Sequence, residues 1–390
     1  MFEGCFVQRV EDLRTESAFE MLAKAKKLES AGREIIHLEI GEPDFKTPAH
    51  IVEAGVKALR DGYTRYTQVT GMPDLKEAVV SYTSTYKNIN TNADEVVIVP
   101  GGKPIIFYTI LALVNEGDEV ICPNPSFPIY ENVIRYAGGI PVFLEIKEEK
   151  DFRVDIEDLK KKISSKTKLL VLNSPANPTG GVLTQQDILQ IAGLIKGKGI
   201  FVLSDEIYGR ICYGTKPVSI ATVPEMKDYT VILDGFSKTY SMTGWRLGYG
   251  IMNKAIAEKI SSLMVNSVSC TAGFVQMAGK AALEGSQDDV DRMVEKFEKR
   301  RDMLVSGLNS INGIKCAVPQ GAFYVFPNIK ELGIKSDKFA DYLLEKASVA
   351  ALSGTAFGCY GEGYIRLSYA NSMDNLEKAL ERISKAVQAL

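Results

Sequence analysis

Residues 169–208 read LLVLNSPANPTGGVLTQQDILQIAGLIKGKGIFVLSDEIY. The segment opens on an apolar run (169–173) and turns through Pro, Asn and Gly. It continues as a helical stretch (185–196) and closes on a second apolar run (201–204). Neither run alternates polar with apolar residues, so both suit strands covered on two faces. A helix between two such strands is the connection a parallel pair requires. One unit of this kind already points to an α/β fold.

The same alternation extends from about residue 95 to 251. Further strand-like runs fall at 96–99, 119–122, 141–145, 231–234 and 247–251, bounded by Gly, Pro, Asn and Asp. Helical stretches at 103–115, 127–137 and 156–163 separate several of them. The prediction is a large domain with a mainly parallel seven-stranded sheet flanked by helices. Beyond residue 288 the pattern changes. Val290, Val294, Phe297, Leu304 and Leu308 form one stripe of a long helix, and strand-like runs follow at 322–326, 349–352 and 364–369. Leu376, Leu380, Ile383, Val387 and Leu390 mark a final amphipathic helix. With an N-terminal helix over 18–28, these elements predict a smaller α+β domain. The expected division is 1–45 and 288–390 for the small domain and 46–287 for the large one. A chain of 390 residues is long enough for two cores.

Composition narrows the function. Hydrophobic residues make up 45% and charged residues 24%, and the net charge of -3 offers no basic surface for nucleic acid. The longest apolar run, 105–114, is too short to cross a bilayer, and acidic residues among the first fourteen argue against a signal peptide. The six cysteines are scattered without a CxxC pair, which predicts reduced thiols and a cytoplasmic protein. Only two histidines occur, His37 and His50. That leaves little for Ser-His-Asp or Cys-His catalysis, or for zinc, and no metal is expected. His37 lies in the strand-like run 35–40 and is expected to be structural. Demanding chemistry here would fall to a cofactor.

Open parallel sheets bind ligands at the carboxyl ends of their strands. Three polar clusters end three successive predicted strands: residues 173–180 around Asn177-Pro178, residues 204–208 with Asp205 and Tyr208, and residues 235–238 ending on Lys238. An Asn-Pro is ordinarily a turn, and an isolated lysine is ordinarily a solvated surface residue. Three such clusters on one sheet edge are harder to explain that way. A fourth, Pro100-Gly101-Gly102-Lys103-Pro104, ends the first strand and opens a helix, a combination that suits a bound anion as well as a plain tight turn. Pro104 replaces the Ser/Thr of a nucleotide-binding P-loop, and the GxGxxG spacing of a dinucleotide site is absent.

The segment Gly235-Phe236-Ser237-Lys238-Thr239-Tyr240-Ser241-Met242-Thr243-Gly244-Trp245-Arg246-Leu247-Gly248 resembles the cofactor-lysine signature of class I/II aminotransferases. These are the aspartate-aminotransferase-like, fold-type-I pyridoxal-phosphate enzymes. The resemblance continues, in order and spacing, through Gly41-Glu42-Pro43-Asp44-Phe45, Tyr66 with Gly71, Gly101-Gly102-Lys103, Asn177-Pro178-Thr179-Gly180, Asp205-Glu206-Ile207-Tyr208 and Arg366-Leu367-Ser368-Tyr369.

The resemblance implies a role for each position. Lys238 condenses with the aldehyde of pyridoxal 5'-phosphate and later moves the proton between Cα and C4′. Asp205 keeps the pyridine nitrogen protonated. Tyr208 and Asn177 hold the phenolic oxygen, and Phe127 stacks on the ring. Gly102, Lys103, Ser237 and Arg246 hold the phosphate, although Gly235 stands where the family usually carries a hydroxyl. Tyr66 reaches the phosphate from a partner subunit, which implies a homodimer with shared active sites. Arg366 and Gly41 hold the substrate α-carboxylate, where a planar two-donor fork fits well. Tyr66 and Tyr208 also suit interface packing, Arg366 an ordinary ion pair, and Trp245 packing alone.

The expected activity is ping-pong transfer of an amino group between an amino acid, foremost aspartate or glutamate, and a 2-oxo acid. Lys103 carries the substrate expectation, since some bacterial relatives use this lysine on the distal carboxylate. The accompanying hydroxyl has no clear counterpart, with Ser17, Ala18 and Arg14 as its neighbours. Aromatic, alanine or other neutral substrates, C–S β-lyase or acyl-condensing chemistry, and a non-enzymatic ligand-sensing role are the alternatives on this fold.

Overall fold

The predicted strand runs pair into one seven-stranded sheet in the computed structural model, which describes residues 5–13 and 17–390. Its strands are β1 (Val96–Val99), β2 (Glu119–Asn124), β3 (Ile140–Glu145), β4 (Thr167–Asn173), β5 (Phe201–Asp205), β6 (Thr230–Gly235) and β7 (Gly248–Ile251). From edge to edge they lie in the order β1, β7, β6, β5, β4, β2, β3. The apolar runs are continuous because each strand serves two cores. Leu169, Val171 and Leu203 enter one, and Leu170, Leu172 and Val202 enter the other.

Only β7 runs against its neighbours, pairing antiparallel with both β1 and β6. A parallel return would need a crossover helix. The connection at 236–247 contains none, so the chain doubles back beside β6. That short connection carries Lys238.

A second core joins the two ends of the chain. The strand Ile36–His37 pairs in parallel with Val349–Ala350, and Leu38 shares one core with Phe297 and Leu304 of the long helix Asp288–Asn309 and Ile383 of the last helix, Met373–Gln388. Tyr324–Val325, Ile365–Ser368 and Leu352–Ser353 form a small antiparallel sheet. The α/β class and the mainly parallel seven-stranded sheet agree with the sequence reading.

Several local expectations differ. Four helices, Ala49–Arg60, Pro73–Lys87, Lys254–Val265 and Gly273–Glu284, have no counterpart in the sequence reading. Two of them bury small residues, Gly55 and Ala58 beside Ile51 in one, and Ala278, Gly279 and Ala282 beside Val275 and Leu283 in the other, so small side chains interrupt their inward faces. The helix expected from 127 begins at Ile129, just after Pro128. The run 349–352 divides at Ala351 between two sheets. Leu390 lies past the last helix and is exposed. No helix among the described residues is long and apolar enough to cross a membrane.

Candidate active site

The carboxyl ends of β4, β5 and β6 open onto a cavity of about 500 Å³, and Gly41, Tyr324 and Arg366 of the second core form its opposite side. β5 delivers Asp205. Its carboxylate is buried, accepts the Tyr130 hydroxyl at 2.6 Å, and accepts the Ile207 N–H at 3.2 Å. Burial pushes its pKa up to about 6; the two hydrogen bonds oppose the rise, and the charges of Asp234 and Glu206 add to it. No basic side chain forms an ion pair with Asp205 among the described residues. A buried acid in that position is costly unless a ligand supplies positive charge.

Lys238 borders the same cavity. Its Nζ donates to the carbonyl of Gly41 at 2.6 Å. Burial pulls its pKa down to about 8; Glu42 opposes this, while Arg366, Arg246 and Lys103 reinforce it. A neutral, nucleophilic amine is therefore accessible close to neutral pH.

The turn from β1 into the helix Lys103–Leu113 forms a third side. Gly101 has φ +87°, and a Cβ there would meet the Arg246 guanidinium at 2.2 Å. A Cβ on Gly248 would meet the backbone of Gly101 and Gly102 at 2.8 Å. The glycines thus let Arg246 and the helix start close in together, and Gly102, Lys103 and Arg246 all border the cavity. A helix N-terminus flanked by two basic side chains suits a phosphate. Gly235 has no space for a side chain, since its Cβ would lie 2.9 Å from the Gly248 Cα. Ser237, buried on the cavity wall, is the neighbouring hydroxyl.

Arg366 is held through its two Nη atoms and between two aromatic rings. Its Nη1 donates to Asn177 Oδ1 at 3.0 Å and its Nη2 to the Glu39 carbonyl at 2.5 Å. The guanidinium lies 4.4 Å from the Tyr324 ring centre and 4.9 Å from that of Phe357. Tyr208, whose pKa burial pushes well above the usual phenol range, shares a 2.8 Å hydrogen bond with the Tyr324 hydroxyl. Phe127 stands edge-on to Tyr130, with ring centres 6.0 Å apart, and Lys103 Nζ lies 5.3 Å from the Phe127 ring centre.

The structure therefore brings Gly41, Gly102, Lys103, Phe127, Asn177, Asp205, Tyr208, Ser237, Lys238, Arg246 and Arg366 to one cavity. Tyr66 stands apart, 91% exposed. Ala18 and Phe19 also border the cavity, Ser17 borders a different one, and Arg14 lies outside the described residues. Trp245 is a packing residue. Its ring lies over Gly55, and its Nε1 donates to Thr47 at 3.1 Å. His37 pairs with Glu39 and Glu29.

Sequence reasoning missed Tyr130, Tyr324 and the Thr243–Glu42 hydrogen bond. Tyr130 follows Phe127 by three residues at a helix start, a spacing that could have flagged it. Tyr324 carries no such local signal, because its place beside Arg366 depends on strand pairing distant in sequence.

A family profile described as aminotransferase class I and II matches residues 33–383. The chain is 39% identical over 389 residues to the aspartate aminotransferase of Geobacillus stearothermophilus, spanning 98% of each sequence. It is 40% identical over 389 residues to a probable aspartate/prephenate aminotransferase of Aquifex aeolicus (strain VF5), again over 98% of each. The solved structure of Thermus thermophilus aspartate aminotransferase with maleate superposes with a TM-score of 0.94 at 34% identity, covering 98% of this chain and 99% of that one.

Proposed function

Since this chain belongs to the class I and II aminotransferase family and is a transaminase, we propose that it works through pyridoxal 5'-phosphate linked at Lys238, with aspartate or glutamate as amino donor and 2-oxoglutarate as acceptor. The family uses this cofactor. One observation carries the reading for this chain: a buried carboxylate with no ion-pair partner among the described residues, Asp205, shares a cavity with a half-buried amine of lowered pKa, Lys238. The cavity is acidic at Asp205 and basic around Arg246 and Lys103. That arrangement fits a ligand with a protonated ring nitrogen and a phosphate.

When bound, the cofactor supplies an electron sink for the pair left on Cα as its proton departs. Lys238 Nζ, released as the neutral amine when the substrate amine takes its place, would accept that Cα proton and deliver it to the cofactor's C4′ carbon. Asp205 holds the proton on the ring nitrogen, with Tyr130 orienting its carboxylate. Tyr208 and Asn177 hydrogen-bond the phenolic oxygen, and Phe127 covers one ring face. The backbone at Gly102 and Lys103, with Ser237 and Arg246, holds the phosphate. Arg366 and Gly41 hold the substrate α-carboxylate, and Lys103 the distal one. Tyr66, exposed in the single chain, is assigned to the phosphate of a partner's site in a cytoplasmic homodimer. The division into residues 46–287 and the joined segments 1–45 and 288–390 is proposed on the same basis, the site lying between the cores.

The test is a half-reaction screen. Each common amino acid is mixed with the loaded protein, and the visible absorbance of the bound cofactor is followed. Fast loss with aspartate and glutamate, and conversion of 2-oxoglutarate to glutamate, is expected. Pyruvate and ammonia from a single substrate would indicate a lyase instead. A second donor class, neutral or aromatic amino acids, is favoured by the apolar side chains of Ala18, Phe19 and Ile106 at the cavity, and the same screen reads it.

A further inference from the structure

Lys87 ends the helix Pro73–Lys87 and does not border the cavity, yet it connects the two strands that bear the proposed chemistry. Its Nζ lies 2.7 Å from Glu206 Oε2 and 2.8 Å from Asp234 Oδ2, with all three side chains largely buried. Glu206 directly follows Asp205 at the end of β5. Asp234 lies near the end of β6, four residues before Lys238.

The remaining oxygens of the cluster are satisfied. Glu206 Oε1 accepts from Ser204 at 2.9 Å and Ser219 at 2.6 Å. Asp234 Oδ1 accepts the Gly235 N–H at 2.7 Å, and Oδ2 the Tyr249 hydroxyl at 3.2 Å. The other titratable neighbours are Tyr82, Tyr240, Arg210 and Cys212 on the Lys87 side, and Tyr130 and Tyr208 beside Asp205. Two acids against one ammonium leave the cluster with a single net negative charge. Both acids push Asp205 toward its protonated form. Without the ammonium that push would come from two uncompensated charges, and unpaired buried charges are costly.

We propose that Lys87 is a positioning residue of the transamination site: by pairing with Glu206 and Asp234 it ties the ends of β5 and β6 together and cancels charge that would otherwise drive a proton onto Asp205. This rests on the reading of Asp205 as the acid facing the ring nitrogen.

The experiment follows the visible absorbance of the full-length protein, loaded with pyridoxal phosphate, against pH. A more negative cluster raises the proton affinity of neighbouring groups, and a less negative one lowers it. Lys87→Met is expected to raise the midpoint by about half a pH unit or more. Glu206→Gln is expected to lower it. Lys87→Met combined with Asp234→Asn restores the net charge and should return the midpoint toward that of the wild type. A role confined to bonding loses a contact in both single variants. Shifts of the same sign in the two, or no shift in either, would overturn the proposal. If Lys87→Met does not fold, a downward shift in Glu206→Gln together with the restored midpoint of the double variant supports it, and their absence overturns it. A wild-type protein that binds no pyridoxal phosphate would remove the site reading and this proposal together. A normal wild-type titration with unmoved variants removes the proposal alone.

Discussion

The Tyr130 hydroxyl donates to Asp205 Oδ2 at 2.6 Å, linking the first turn of the helix Ile129–Tyr136 to the end of β5. This bond holds the acid's pKa down against burial, which nevertheless lifts it to about 6.

The stability of the unloaded protein should show that rise. Between the ordinary carboxyl value of 3.8 and the folded value of about 6, the folded chain binds more protons than the unfolded one. Stability therefore falls through Asp205 as pH rises across this window, and the penalty is complete above it. In urea melts, Asp205→Asn is expected to exceed the wild type by about 2–3 kcal/mol at pH 7 and to match it near pH 4. Pyridoxal phosphate should reverse the order at pH 7. A gap that does not change with pH would contradict the buried-charge account.

Tyr130→Phe removes a hydrogen bond to a charged group, worth about 1.5–3 kcal/mol. Single-turnover transamination is expected to slow by roughly ten- to a hundredfold, with circular dichroism unchanged. An unaltered rate would show that Asp205 is oriented without it.

Capture of pyridoxal phosphate depends on neutral Lys238. With its pKa near 8, the rate of covalent uptake by the unloaded protein should climb between pH 7 and 9 and then level off. Lys238→Ala should lose the borohydride-reducible link. A variant that still incorporates cofactor covalently would place the link elsewhere.

Arg366→Lys keeps the charge but loses the fork that donates to Asn177 and Glu39. KM for every amino donor is expected to rise by about ten- to a hundredfold. Lys103→Ala should raise KM chiefly for dicarboxylates. Equal losses for alanine and aspartate would remove Lys103 from distal-carboxylate recognition.

Gly41 has no space for a side chain, because a Cβ would meet the Tyr324 hydroxyl oxygen at 2.2 Å. Gly41→Ala is expected to displace Tyr324, break its bond to Tyr208 and cost about 1–3 kcal/mol of stability. Adding Tyr324→Phe should recover much of that loss in thermal melts. If the double variant melts no higher than Gly41→Ala, the clash lies elsewhere.

The sheet and the polar clusters at its edge were legible in the chain because both are local signals. A continuous run such as 169–173 records burial on two faces, and the Pro, Gly and Asn that follow record where the strand stops. The resemblance at 235–248 then placed Lys238, Asp205 and Arg366 in roles that composition could not assign. Register, the reversed direction of β7 and the small-residue helices were not legible. Gly55 and Ala278 look like filler until their helices meet.

Amino-acid order settled the strands of the large sheet and the polar groups that end them, since periodicity and chain-breaking residues act over a few positions. Folding settled the electrostatics. Asp205 under the Tyr130 hydroxyl, Lys238 on the Gly41 carbonyl, and Lys87 between two acids that lie 119 and 147 positions further along are contacts between parts remote in sequence. Charges interact through space and through the dielectric around them, and neither quantity exists until the chain has packed.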